Sequence, residues 1–63
     1  MTNKYEVIVG TSSRPVWRDY DNADGAISAW MDYAWLATAV GIGPVHLVMD
    51  GLIIRSTDNP QDI

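Results

Sequence analysis

His46 is the only imidazole in the chain, and no cysteine accompanies it. A hydrolytic site built on it would need a carboxylate to orient the ring and a nucleophile within hydrogen-bond reach. The nearest acid downstream, Asp50, lies four residues along what reads as one strand. At about 3.3 Å per residue that is roughly 13 Å, too far to hold the imidazole. Ser12, Ser13, Ser28 and Ser56 stand in no nucleophile-elbow context. Asp19-Tyr20-Asp21-Asn22-Ala23-Asp24-Gly25 has the acids of a calcium loop in the wrong register. With Gly25 in the glycine position, Tyr20 and Met31 fall where carboxylates are required; a start at Asp19 puts Asp24 where the glycine belongs. Gly41-Ile42-Gly43-Pro44 follows an apparent helix, whereas a phosphate loop precedes one and offers the anion its free N–H groups. The expectation is a chain with no catalytic residue, no metal and no cofactor.

Charge points away from two partner classes. Four Lys+Arg against eight Asp+Glu leave a net charge of −4 over 63 residues, and Lys4, Arg14, Arg18 and Arg55 stand apart. Phosphate backbones and anionic membranes both require clustered cations, so neither nucleic acid nor membrane is expected as a partner. The stretch from Tyr33 to Met49 is apolar but interrupted by Gly41, Gly43 and Pro44, which argues against a membrane span. The zero cysteine count and the absence of an apolar leader set the expectation of a cytoplasmic protein.

The elements that must position any site are legible in outline. Lys4 to Val9 alternates as a half-buried strand, with Tyr5, Val7 and Val9 on one face. Gly10 to Pro15 reads as a turn, and Val16 to Tyr20 as the returning strand of a hairpin. Asp21, with Asp24 three residues later, is a helix N-cap candidate. From Ala23 to Val40 there is no proline and there are six alanines, which lose no side-chain entropy on becoming helical. Gly41 and Pro44 end the helix. Asp50-Gly51 between two apolar runs predicts a two-residue hairpin turn. That register pairs Met49 with Leu52, Val48 with Ile53, Leu47 with Ile54 and His46 with Arg55. The predicted architecture is a single α+β domain over 1–63, ββαββ, with one helix on a four-stranded antiparallel sheet of order 2-1-3-4 and a frayed tail over 57–63.

Helical periodicity places Ile27, Trp30, Ala34 and Ala37 toward the sheet, flanked by Met31 and Tyr33. Trp35, Asp32, Leu36, Ser28 and Ala39 fall opposite, and the helix carries no basic residue. A solvated face ordinarily shows Lys, Arg or Glu, so these five form the first candidate protein-binding surface, with Trp35 as its anchor. Ile8, Val48 and Ile53, bordered by His46 and Arg55 on the far side of the sheet, form the second. A domain of about 60 residues buries only about 60% of its unfolded surface. With no disulfide or metal staple, association becomes a natural source of stability.

The alternating hairpin Lys4 to Tyr20, the capped alanine-rich helix and the Asp50-Gly51 hairpin together resemble the small ββαββ accessory proteins encoded by tailed bacteriophages. The resemblance implies a non-enzymatic protein that acts by binding, as an inhibitor or modulator of a host protein, and carries over no functional residue. The alternative expectation is a homodimer that uses the same helix or sheet surface on itself.

Overall fold

The computed structural model describes residues 2–57, in the order β1 (Lys4–Val9), β2 (Trp17–Tyr20), α1 (Ala23–Val40), β3 (Val45–Met49) and β4 (Leu52–Ser56). The four strands form one antiparallel sheet in the order β2-β1-β3-β4, with α1 packed on one face. The ββαββ class and the strand order are those read from the sequence. Residues 58–63, most of the expected tail, lie outside the described part. Thr57, counted with that tail, is tied down: its N–H donates to the Val45 carbonyl at 3.1 Å and its Oγ1 accepts from the Val45 N–H at 2.8 Å.

Strand pairing sorts the side chains. Tyr5 stands opposite Met49, Val7 opposite Leu47 and Val9 opposite Val45, so these six share the face that α1 covers. Val7, Val45 and Leu47 are fully buried there, joined by Tyr5 and by Ala26 and Ala37 of the helix. Two alanines at the contact let the helix backbone approach the sheet closely. The large rings close the sides: Trp30 Nε1 donates to the Val45 carbonyl at 3.0 Å, and Tyr33 Oη donates to the Val16 carbonyl at 3.4 Å.

These two anchors turn the helix slightly from its expected setting. Its buried stripe is centred on Ala26, Trp30, Tyr33 and Ala37, and Met31, expected beside the sheet, is exposed. The helix packs on β1, β3 and β2 but does not reach β4. A single helix spans about 10 Å, roughly two strand spacings, so it cannot cover a four-stranded sheet.

The caps also differ in detail. Asn22, one residue after the expected Asp21, is the N-cap, with its Oδ1 accepting from the Gly25 N–H at 3.0 Å. Asp21 takes a left-handed conformation (φ 53°) and its Oδ1 accepts from the Asn3 N–H at 2.7 Å. At the other end Gly41 (φ 78°) ends the helix as expected, and the Ile42 N–H donates to the Ala37 carbonyl at 2.8 Å. Replacing Asn22 with alanine should cost about 1 kcal/mol in a denaturant melt, the ordinary loss for a helix N-cap.

The hairpin departs from its expected register halfway along. Met49–Leu52 and Val48–Ile53 pair as expected, but Leu47 stands opposite Arg55 and His46 opposite Ser56. Asp50 and Gly51, both at positive φ, close one end of the hairpin, while the two Thr57–Val45 bonds close the other. Between those ends β3 contributes four residues (His46 to Met49) and β4 five (Leu52 to Ser56). One residue must therefore be accommodated as a β-bulge, and it falls at Ile54.

Candidate protein-binding surface

The acids before the helix have structural work that accounts for their spacing. Asp19 Oδ2 accepts from the Asn22 side-chain amide at 3.1 Å and its Oδ1 from the Tyr20 N–H at 2.8 Å. Asp21 and Asp50 act alike on the two sides of β1. The Asp21 carboxylate accepts from the Asn3 N–H and its own N–H donates to the Asn3 carbonyl at 2.9 Å. Asp50 makes the same exchange with Lys4, at 2.8 Å in each direction. Each lengthens the strand ladder by one pair at a position where Asp tolerates left-handed backbone. Among the described residues no three His, Asp or Glu side chains gather as metal ligands. Melts in EDTA and in added calcium should therefore coincide; a rise of several degrees with calcium would mean the aspartates bind the ion.

The hydrogen bonds from the Asn22 side chain and the Tyr20 N–H hold the Asp19 carboxyl below its ordinary value, against a smaller opposing effect of desolvation. Because the folded-state value is the depressed one, this stabilisation is present above the unfolded value, about 3.9, and is lost as pH falls through the folded value. The melting-temperature gap between the wild type and Asp19→Ala should narrow as pH falls below about 4. A gap that stays constant across that range would show that ionised Asp19 contributes nothing.

The bulge builds a pair that sequence reasoning missed. His46 and Ser56 stand opposite one another, with Ser56 Oγ 2.9 Å from His46 Nδ1. Their ten-residue separation carried no signal, because the regular hairpin register put Arg55 there. The pair joins a His to a hydroxyl, but no carboxylate among the described residues is hydrogen-bonded to the ring. It ties β3 to β4 on the outer face of the sheet.

That face carries most of the second candidate surface, with one correction. Ile8, Val48, His46 and Ile53 lie on it, whereas the bulge shifts Arg55 opposite Leu47, on the helix-covered side. Val48 is only 6% exposed and Ile8 half-buried, and polar pairs flank them: His46–Ser56 on one side and Arg18–Glu6, at 3.2 Å, on the other. Ile53 is the one large apolar side chain of the group left open.

The first candidate surface is more open, and the structure divides it. Trp35 is 76% exposed, and Ser28, Asp32 and Ala39 are exposed around it. The direction of each helix flank follows from its anchors: Trp30 bonds to β3, and Tyr33 bonds toward the start of β2. Successive residues on the wheel beyond Trp30 are Ala34, Thr38, Met31 and Trp35, so this flank overhangs the β4 side of the sheet, which the helix leaves uncovered. Trp30, Met31, Ala34, Trp35, Thr38 and Ala39 line an open groove of about 490 Å³ there. Leu36 belongs to the opposite flank. With Val9, Tyr33, Ala37, Val40 and Ile42 it lines a cleft of about 200 Å³ against the end of β1.

Among known proteins, the chain matches no family model, no curated protein and no solved structure. What the fold defines is an α+β domain of the ββαββ class with an apolar helix flank left open beside an uncovered edge strand. Among the described residues no helix is long and apolar enough to cross a membrane.

Proposed function

We propose that this chain is a non-enzymatic protein-binding module whose contact surface is the Trp35 flank of α1. The observation that carries the reading is the 76% exposure of Trp35 beside an apolar groove on a helix without a single basic residue. An exposed Trp costs solvation in the free chain, and Trp is the residue type most enriched at binding hot spots, where one side chain supplies both apolar area and an N–H. Asp19 holds the capping residue Asn22, Asp21 and Asp50 lengthen the strand ladder, and His46 ties β3 to β4, so little chemistry-bearing material is left for a reaction. The likeness in pattern to small phage accessory proteins supports the more specific role of inhibitor or modulator of a host protein in the cytoplasm.

The test compares wild type with Trp35→Ala, each immobilised and each followed in solution. The reading expects one defined protein complex, with another protein or with itself, weakened by about 2 kcal/mol or more on loss of the ring. If wild type forms no complex of either kind, or if the variant binds as tightly, the Trp35 flank is not a binding surface.

A further inference from the structure

We infer that the recess at the start of β2, lined by Arg14, Pro15, Val16, Trp17 and Arg18, binds an acidic segment of another protein through its carboxylates. This is a site separate from the Trp35 flank and does not depend on it. In the sequence the four Lys and Arg stand apart, but the turn between β1 and β2 brings two of them, Arg14 and Arg18, to one recess of about 430 Å³. No acidic side chain lines it, in a chain with eight Asp and Glu. Arg18 uses one donor inside the fold, its Nε–H on Glu6 Oε2 at 3.2 Å, and a guanidinium has five. Its side chain remains half exposed. Among the described residues nothing pairs with the Arg14 guanidinium. Two cationic forks therefore line one recess with most of their N–H groups unused, and such a fork takes both oxygens of a carboxylate at once.

The backbone that carries the two arginines is already fixed. Ser12 Oγ accepts from the Arg14 N–H and donates to the Arg14 carbonyl, at 3.1 Å each. Pro15 sets its own φ. The Val16 N–H donates to the Val7 carbonyl at 2.8 Å, the Val16 carbonyl accepts from Tyr33 Oη at 3.4 Å, and Trp17 packs against the core. Binding then has little backbone left to order, which raises affinity. Val16 is exposed, and Pro15 and Trp17 are half-buried, so an aliphatic neighbour of the bound carboxylate has a surface to rest on. A peptide brings such a neighbour and a free anion does not. Charge separates the macromolecular classes. Two cations neutralise too few phosphates to hold a nucleic acid or an anionic membrane against a chain of net charge −4, whereas a short acidic segment needs only local complementarity.

The probe is a short, terminally blocked peptide of glutamate and leucine, titrated into the full chain and followed by NMR at the Trp17 indole N–H and the Arg14 and Arg18 Nε–H. Wild type should bind it with a Kd below about 1 mM at low salt and several-fold more weakly at physiological ionic strength, and should not bind the same peptide with glutamine for glutamate. Arg14→Gln, which breaks no contact of the fold, should weaken binding about 10-fold or more. Arg55→Gln, the same change of charge on β4, and Trp35→Ala should each change it by no more than about twofold. No binding by wild type overturns the site. Equal weakening by Arg14→Gln and Arg55→Gln reduces the effect to net charge and overturns it too. A single-stranded oligonucleotide that binds more tightly than the peptide and is lost with Arg14→Gln makes the recess a phosphate site and overturns the acidic protein as its occupant. Loss of the peptide on Trp35→Ala, with Arg14→Gln silent, seats it on the helix flank: the recess falls and the Trp35 reading stands.

Discussion

Trp30→Ala should remove a large share of the fold's stability, whereas Trp35→Ala, five residues along the same helix, should leave the monomer nearly unchanged. Trp30 packs against the core between α1 and β3, and its indole N–H donates to the Val45 carbonyl at 3.0 Å. Removing such a ring costs about 3–5 kcal/mol. A chain of this length is stable by roughly 3–9 kcal/mol, at about 0.05–0.15 kcal/mol per residue, so the loss takes a large share of the total. Part of the damage is limited, because the Val45 carbonyl also accepts from the Thr57 N–H at 3.1 Å and is not left unpaired. Trp35, at 76% exposure, has little burial to lose, and its truncation should cost under about 1 kcal/mol in a dilute sample. Urea melts of the three proteins at low micromolar concentration separate these outcomes. Equal destabilisation by the two substitutions, with the wild type monomeric, would put Trp35 in the core.

Leu47→Ala is expected to be as severe as Trp30→Ala, and Leu52→Ala close to silent. Both leucines lie on the helix side of the sheet, one on each strand of the same hairpin. Leu47 is fully buried in the core that the helix covers, paired with Val7 of β1 on one side and Arg55 of β4 on the other. Its truncation removes buried methyl groups and leaves a cavity at the centre of the sheet, a loss of about 2–5 kcal/mol. Leu52 is 68% exposed, on the strand that α1 does not reach, so its truncation should change monomer stability by no more than about 0.5 kcal/mol. Melting curves of the two variants at one low protein concentration check the contrast. A Leu52→Ala variant as unstable as Leu47→Ala would require β4 to be covered in the monomer.

The two pairs of substitutions differ only in where the fold puts each side chain, which the residue types do not reveal. Trp30 and Trp35 are the same residue on one helix, and Leu47 and Leu52 the same residue on one hairpin. Local pattern was enough for the elements themselves. Alternation over Lys4–Val9, the proline-free run Ala23–Val40 with Gly41 after it, and Asp50-Gly51 between apolar runs are signals carried by neighbours a few residues apart, and each element formed where its signal stood. The strand order also followed, because two hairpins joined by a helix pair most directly through their first and third strands.

What depended on distant residues was not legible in those signals. The bulge at Ile54 exists because Thr57 is bonded to Val45 while the Asp50-Gly51 turn closes the other end, and neither constraint alone would displace Arg55 or bring Ser56 to His46. The setting of α1 was decided by Trp30 reaching the carbonyl of Val45 and Tyr33 reaching that of Val16, which turned Met31 out of the core and separated Leu36 from Trp35. Even the aspartates, Asp21 read by position as a helix cap and Asp50 as a turn residue, took their partners from across the sheet, with Asp21 on Asn3 and Asp50 on Lys4. By itself, then, the sequence determined which segments become strand, helix and turn, since periodicity and turn chemistry are local. The tertiary structure alone decided which apolar side chains remain uncovered, because coverage is a property of the width of one helix set against four strands and of the long-range hydrogen bonds that orient it.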